Sequence, residues 1–218
     1  MAEEIVKQDK KEPLKKISEK ASTLLFELIT DIPGSLYTPT QNPDEKARLL
    51  SQRAAWKSAT VSTSLSIPAG ITGILTAIPD IAAIWKIQAQ LVADIAASYG
   101  KLALLSREAM IWCLFRHSAA QLLRDIAVRT GSRIIVQKLS ATAIKAILAK
   151  IGASISSKLL GKTLLRAIPA IGALGNGAYA FYDTLEVGKT AAAYFRALSD
   201  QDGKDSNSTN SAEEAKTA

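Results

Sequence analysis

Apolar residues recur at helical spacing through most of this chain, and no segment shows the apolar/polar alternation of a half-buried strand. The longest stripe covers about five helical turns and comprises Ile81, Ile84, Trp85, Gln88, Leu91, Val92, Ile95 and Tyr99. Aromatic residues make up only 6% of the chain, so alanine and aliphatic side chains must build the core. The pattern predicts an all-α fold, a multi-helix bundle with a central, small-residue-rich C-terminal helix.

Capping residues, glycines and prolines predict where the helices begin and end. Asn42-Pro43 and Pro79-Asp80 are the strongest start signals, since proline suits the first helical position and an acid favours the positive end of the helix dipole. The predicted helices cover residues 13–29, 42–66, 79–100, 106–131, 144–167 with a break at 152–157, and 169–198. Residues 1–41 are expected to form an N-terminal helix and loop, 42–198 the main helical domain, and 199–218 a disordered polar tail.

The last helix carries two pairs of small residues at a spacing of four, Ala173 with Gly177 and Gly188 with Ala192. Such pairs allow another helix to approach closely, in water or in lipid. The charge-free run from Ala167 to Tyr182 is therefore interpreted as a surrounded helix of the core, with a lipid-exposed hairpin as the alternative.

The cysteine and histidine content excludes several kinds of site. With one Cys and one His, the chain can form neither an intrachain disulfide nor a Cys- or His-rich metal site. Gly161-Lys162-Thr163 and Gly188-Lys189-Thr190 resemble the end of a phosphate-binding loop but lack its earlier glycine and a preceding strand. We therefore predict no metal and no cofactor.

Cys113 and His117 are four residues apart and so share one face of a helix, the spacing at which a base could activate a thiol. That face is expected to lie opposite the stripe that contains Ile111. No carboxylate is placed by the sequence to orient the histidine. A helix-surface pair without chemistry is the favoured interpretation, and an enzyme using Cys113 and His117 is the alternative.

Positive charge is concentrated in residues 101–166, which contain 12 basic and 2 acidic residues, while the whole chain has a net charge of +7. Such a block attracts polyanions, either nucleic acid or an anionic membrane surface. Trp112 and Phe115 fall in the core stripe of their helix and are not interleaved with the cations, so no nucleic-acid binding is predicted. The candidate lipid- or partner-binding residues are Lys138, Lys145, Lys150, Lys158, Lys162 and Arg166.

Two segments bear on the relation to a membrane. The charge-free run from Ser58 to Ile78 has about the length of a span, but its hydroxyl residues and Pro68 favour a buried or interfacial segment. The N-terminus lacks the apolar region of a secretory signal. The expected localisation is cytoplasmic, with peripheral attachment to the inner membrane as a possibility.

Three residues are candidates for buried polar roles. Asp80 follows Pro79 in a predicted first helical turn, Gln88 is the strongly polar member of the longest stripe, and Tyr99 ends that stripe. Buried polar groups require hydrogen-bond partners, so Gln88 is expected to bond another helix or a water molecule.

Two motifs resemble the signatures of EcsC family proteins. The first comprises Ile78-Pro79-Asp80-Ile81, Gln88 and Ala97-Ser98-Tyr99-Gly100; the second comprises Ile168-Pro169-Ala170-Ile171-Gly172-Ala173, Val187-Gly188 and Ala193-Tyr194-Phe195. The resemblance covers residues 45–197, so residues 42–198 are interpreted as an EcsC-like domain. It implies an all-helical bacterial protein, in some genomes encoded beside an ABC transporter, without established catalytic activity or catalytic residues. Family members often carry an asparagine near the position that Ala180 occupies in this chain.

Three functional hypotheses follow. The first is a non-catalytic bundle at the cytoplasmic membrane surface that binds lipid or a transporter-like membrane protein through residues 133–166. The second is a soluble adaptor or homo-oligomer whose basic face meets an acidic protein. The third is the enzyme using Cys113 and His117. The oligomeric state and the identity of the lipid or partner stay open.

Overall fold

A computed structural model of the chain describes the backbone of residues 15, 18–65, 73–120, 123, 127–130, 133–136, 138–162 and 169–217. Side chains are described at residues 15, 18–63, 81–118, 120, 123, 136, 138–153 and 177–202. The helices are α1 (18–30), α2 (Pro43–Leu65), α3 (Gly73–Ser98), α4 (Arg107–Ala119), α5 (Ala141–Lys162) and α6 (Pro169–Thr217), with a 3-10 turn at Leu102–Leu104. The all-α bundle predicted from the sequence is confirmed.

Helix α6 lies at the centre of the described bundle, where it packs against α2, α3 and α4. Small residues set its distance from α2: a Cβ on Gly177 would come 2.5 Å from Thr63 Oγ1, and a Cβ on Gly188 would come 2.7 Å from Ser51 Cβ. These contacts also show that α2 and α6 run antiparallel. Gly177 and Gly188 therefore serve close helix packing, as predicted, while the side chain of Ala173 lies outside the described residues. The prediction that the charge-free run is surrounded is wrong at its end, because Tyr179 and Tyr182 are exposed.

One short hairpin interrupts the helices and was not predicted. Strand β1 (Ala127–Thr130) pairs antiparallel with β2 (Arg133–Val136), and Thr130 faces Arg133 in the register. The prediction that α4 continues to Gly131 is wrong, because the helix ends at Ala119. Branched side chains favour strands, and the two residues between the strands are Gly-Ser, which two-residue hairpin turns favour.

Helix α3 begins at Gly73, six residues before the predicted start at Pro79. Pro79 therefore lies in the second turn, where it costs the helix one backbone hydrogen bond. The apolar residues before Pro79 are compatible with a helix. The predicted start was wrong because it relied on the proline alone.

Helix α5 is continuous across residues 152–157, where the sequence predicted a break. A Cβ on Gly152 would come 2.5 Å from Ser22 Oγ and 2.8 Å from the carbonyl oxygen of Ser18, both on α1. The glycine thus permits close packing of α1 against α5 and does not end a helix.

Helix α6 extends to Thr217, beyond the end predicted near Leu198, so the tail expected to be disordered from Ser199 has a helical backbone. Ser199 Oγ donates a hydrogen bond to the carbonyl oxygen of Phe195, and Lys101 forms an ion pair with Asp202. The ion pair links this part of α6 to the residues that follow α3. The three-part division of the chain stays a prediction.

Candidate functional site

A polar network joins α3, α4 and α6. Gln88 is 1% exposed, and its Nε2 donates to Asp183 Oδ2 at 2.7 Å and to Thr184 Oγ1 at 3.2 Å. The other carboxylate oxygen of Asp183 lies 2.7 Å from His117 Nε2. Gln88 therefore lies in the core with partners on another helix, and Asp183 connects it to His117.

The sequence analysis identified no carboxylate that could orient His117. The structure supplies one, Asp183. The side chains of His117 and Asp183 are 18% and 19% exposed, so the pair sits at the edge of the bundle. The two residues are separated by 66 positions. Only the packing of α4 against α6 brings them together, and no local pattern reports it.

Cys113 does not share the site of this pair. Its side chain is fully buried, so the expectation that its face lies opposite the core was wrong at this residue. Burial raises the pKa of the Cys113 thiol, although Arg116 acts in the opposite direction. A buried thiol of raised pKa is a poor nucleophile, which weighs against the Cys113/His117 enzyme.

Tyr99 belongs to a second cluster, at the junction of α2, α3 and α6. The buried Tyr99 donates its hydroxyl hydrogen bond to Asp44 Oδ1, and the same oxygen accepts from Arg196 Nε at 2.9 Å. The hydrogen bond from Tyr99 lowers the pKa of Asp44, and Arg196 adds to this, while partial burial opposes it. Asp44 also lies in the first turn of α2, where the helix dipole favours a negative charge. The cluster is structural: it ties three helices together.

The described candidate cations are all exposed. Lys145 and Lys150 lie on the solvent side of α5, and Lys138 precedes that helix. Lys145 Nζ lies 5.3 Å from the ring centre of Phe26 on α1. None of the three forms an ion pair with another described residue. The side chains of Asp80, Lys158 and Lys162, and the whole of Arg166, lie outside the described residues.

The apolar stripe of α5 is used inside the protein. The sequence places Ile144, Ile147, Leu148, Ile151 and Ile155 in this stripe. The first four are buried in the core, and the side chain of Ile155 lies outside the described residues. Glu108, itself buried, accepts a hydrogen bond from the backbone N–H of Leu139 at 2.8 Å and so holds the start of α5 against α4. Within residues 141–153, α5 therefore presents lysines to the solvent and has no free apolar face to insert into lipid.

An exposed aromatic face lies where α2 and α6 adjoin, and the sequence analysis did not identify it. Trp56, Tyr179 and Tyr182 are 65%, 54% and 68% exposed. The half-buried Phe181 packs edge-on against Trp56, with 4.9 Å between ring centres, and against Tyr182 at 5.8 Å. The closely spaced aromatics at the end of the charge-free run of α6 were the available signal. We call Trp56, Phe181 and Tyr182, which these ring contacts join, the aromatic face.

A groove of about 420 Å³ separates α1 from α3. Its charged lining residues are Glu27, Asp31 and Lys86, and its apolar lining includes Leu28 and Trp85. Charges of both signs on an open groove do not define one ligand chemistry. The groove therefore supports no assignment.

Within the described part of the chain, no helix is both long and apolar enough to cross a bilayer. Among the same residues, no three His, Cys, Asp or Glu side chains are grouped so that they could hold a metal ion.

Comparison with known proteins adds no relative: no protein-family model matches the chain, and no curated protein or solved structure matches it significantly. These comparisons do not test the resemblance to the EcsC family, which stays a prediction from the two motifs.

Proposed function

We propose that this protein is a non-catalytic helical module that binds an anionic membrane surface at the cytoplasmic side, with electrostatic attraction supplied by the region around α5. One observation carries the proposal. Lys138, Lys145 and Lys150 are exposed and have no carboxylate partner among the described residues, while the apolar side of α5 within residues 141–153 is buried. The lysines are therefore available to an external anion.

The surrounding sequence strengthens this charge. Between Asp125 and Asp183 the chain contains no acidic residue. The cationic residues in that interval are Arg129, Arg133, Lys138, Lys145, Lys150, Lys158, Lys162 and Arg166. Each Lys or Arg near an anionic leaflet contributes about 1 kcal/mol of attraction. A region of one sign therefore supports reversible attachment without a spanning helix.

The test uses sedimentation of the full chain with vesicles of phosphatidylcholine, with and without phosphatidylserine. We expect binding only to the anionic vesicles, weakened by salt because the Debye length shortens. Replacing Lys138, Lys145 and Lys150 together with glutamate should weaken it strongly. A matched control reverses Arg48, Arg107 and Lys189, which are also exposed, and changes the net charge equally. That control should retain most of the binding.

A second reversal, at Lys158, Lys162 and Arg166, tests the other part of the basic region and should also weaken binding strongly. Exposed charges contribute little to folding. Circular dichroism should therefore show unchanged helix content for the first reversal and for its matched control, whose substituted residues are all exposed. Because the vesicles contain no protein, binding to them is binding to lipid headgroups and not to an acidic segment of a membrane protein. If the wild type ignores anionic vesicles, the proposal fails, and a partner-dependent or self-associating adaptor takes its place.

A further inference from the structure

The aromatic face stands outside the seam between α2 and α6. The seam itself is filled by small residues, since Gly177 faces Thr63 and Gly188 faces Ser51 across it. Trp56 packs edge-on against Phe181 of α6, but most of its surface is in contact with solvent. Of the three tryptophans, Trp85 and Trp112 are each 7% exposed, so Trp56 is the exposed one. Large aromatic side chains grouped on a surface mark an interaction site more reliably than scattered ones do.

The charges beside the aromatic face are mainly positive. After Glu45, α2 contains no acidic residue, and Arg53 and Lys57, which flank Trp56 in the sequence, are both exposed. Helix α6 has no charged residue from Pro169 to Tyr182. The two acids that follow are already engaged: Asp183 with His117 and Gln88, and Glu186 with Lys189. The face is thus aromatic, with cations on the α2 side.

This combination matches the chemistry of a bilayer interface. Trp and Tyr are enriched at headgroup level because their rings are apolar and their N–H and O–H groups stay hydrated. Arg and Lys beside them keep their charged ends among anionic headgroups. We propose that the aromatic face, led by Trp56 and Tyr182, is the surface that enters the headgroup region of an anionic bilayer.

The inference rests on the proposed function and adds a second, chemically different contact. The lysines of α5 attract the protein over a distance, and this attraction is screened by salt. Burial of aromatic surface acts only on contact and does not depend on screening. Binding should therefore have a salt-sensitive part that the α5 lysines supply and a salt-resistant part that the aromatic face supplies.

The experiment measures tryptophan fluorescence of the full chain on phosphatidylcholine–phosphatidylserine vesicles, with and without bromine on the acyl chains. Brominated lipid should quench the wild-type emission. Trp56→Phe should remove that quenching while vesicle binding persists, because phenylalanine retains a ring at the position. The difference between the two proteins isolates the emission of Trp56 from that of the buried Trp85 and Trp112.

Affinity provides an independent measurement. Trp56→Ala combined with Tyr182→Ala should weaken binding to anionic vesicles about tenfold or more and should remove its salt-resistant part. Leu36→Ala combined with Leu104→Ala removes two other exposed apolar side chains, 101% and 52% exposed, and should leave affinity unchanged. The quenching measurement is made on the wild-type protein, so it still tests the inference if the aromatic double variant folds poorly.

The outcomes separate the two proposals. If the wild type binds anionic vesicles but its Trp56 is not quenched and the aromatic variant binds equally well, this inference is overturned while the proposed function stands. If the wild type binds no vesicles, both fall. If Trp56 emission instead shifts with protein concentration in the absence of lipid and sedimentation shows a larger species, the aromatic face joins copies of this chain and the inference is overturned.

Discussion

Gln88 on α3 donates a hydrogen bond to Asp183 on α6, with 2.7 Å between Nε2 and Oδ2, from a position where almost none of its surface meets solvent. The bond gives a buried amide its partner. It also positions a carboxylate whose second oxygen contacts His117 on α4. Through Asp183, a polar residue in an apolar stripe is linked to side chains on two other helices.

Gln88→Leu should destabilise the protein. The change leaves Asp183 and Thr184 without a donor on α3, and loss of such a partner costs about 1–3 kcal/mol. Urea unfolding followed by circular dichroism measures the free energy of unfolding. Gln52→Leu, at an exposed position of α2, is the control and should change it by less than about 0.5 kcal/mol. Equal stability of the two variants would show that the network adds nothing to the fold.

The Asp44 cluster should make stability depend on acid. The pKa of Asp44 is lowered in the folded protein, chiefly by the hydrogen bond from Tyr99. Its charge therefore contributes stability in full above the ordinary carboxyl pKa of about 4, and this contribution is lost as the pH falls through the lower folded value. We expect the stability advantage of the wild type over Asp44→Asn to be constant near neutral pH and to shrink below about pH 4.

Tyr99→Phe is the companion variant, because it removes the group that lowers the pKa of Asp44 most. Its unfolding free energy should fall less steeply in acid than that of the wild type. Parallel acid profiles for the two proteins would contradict the role assigned to the Tyr99 hydroxyl.

Gly188→Ala should force α2 and α6 apart. The added Cβ would lie 2.7 Å from Ser51 Cβ, inside contact distance, and Ser51 is buried. We expect a net loss of about 1–3 kcal/mol from overpacking, even though alanine favours helix by about 1 kcal/mol over glycine. Gly34→Ala is the control, since nothing lies within 4 Å of the added atom. Adding Ser51→Gly to Gly188→Ala should recover part of the loss, as thermal unfolding can show.

Cys113 should be inert towards thiol reagents until the protein unfolds. Its side chain is fully buried, and burial raises its pKa, so the reactive thiolate is scarce in the native state. Labelling with Ellman's reagent should be slow in buffer and fast in denaturant. Cys113→Ala should leave vesicle binding unchanged; rapid native labelling, or loss of function in this variant, would revive the enzyme hypothesis.

The helical class of this protein was readable from its sequence because an amphipathic helix needs only local information. The stripe from Ile81 to Tyr99 and the start signal at Asn42-Pro43 correctly placed helical segments, since side chains one turn apart share a face regardless of the rest of the chain. Gln88 could be recognised as a buried polar group for the same reason. Two glycines of α6, Gly177 and Gly188, likewise indicated close packing.

Boundaries and partners were decided by tertiary contacts between distant residues. Gly152 reads locally as a break, yet it lies within a continuous helix because α1 packs closely against it. Asp183 meets His117, and Trp56 meets Phe181, only because α6 packs beside α4 and α2. Periodicity determines which face of each helix is apolar, but the neighbour that covers this face depends on the packing of the whole bundle, which local spacing does not encode.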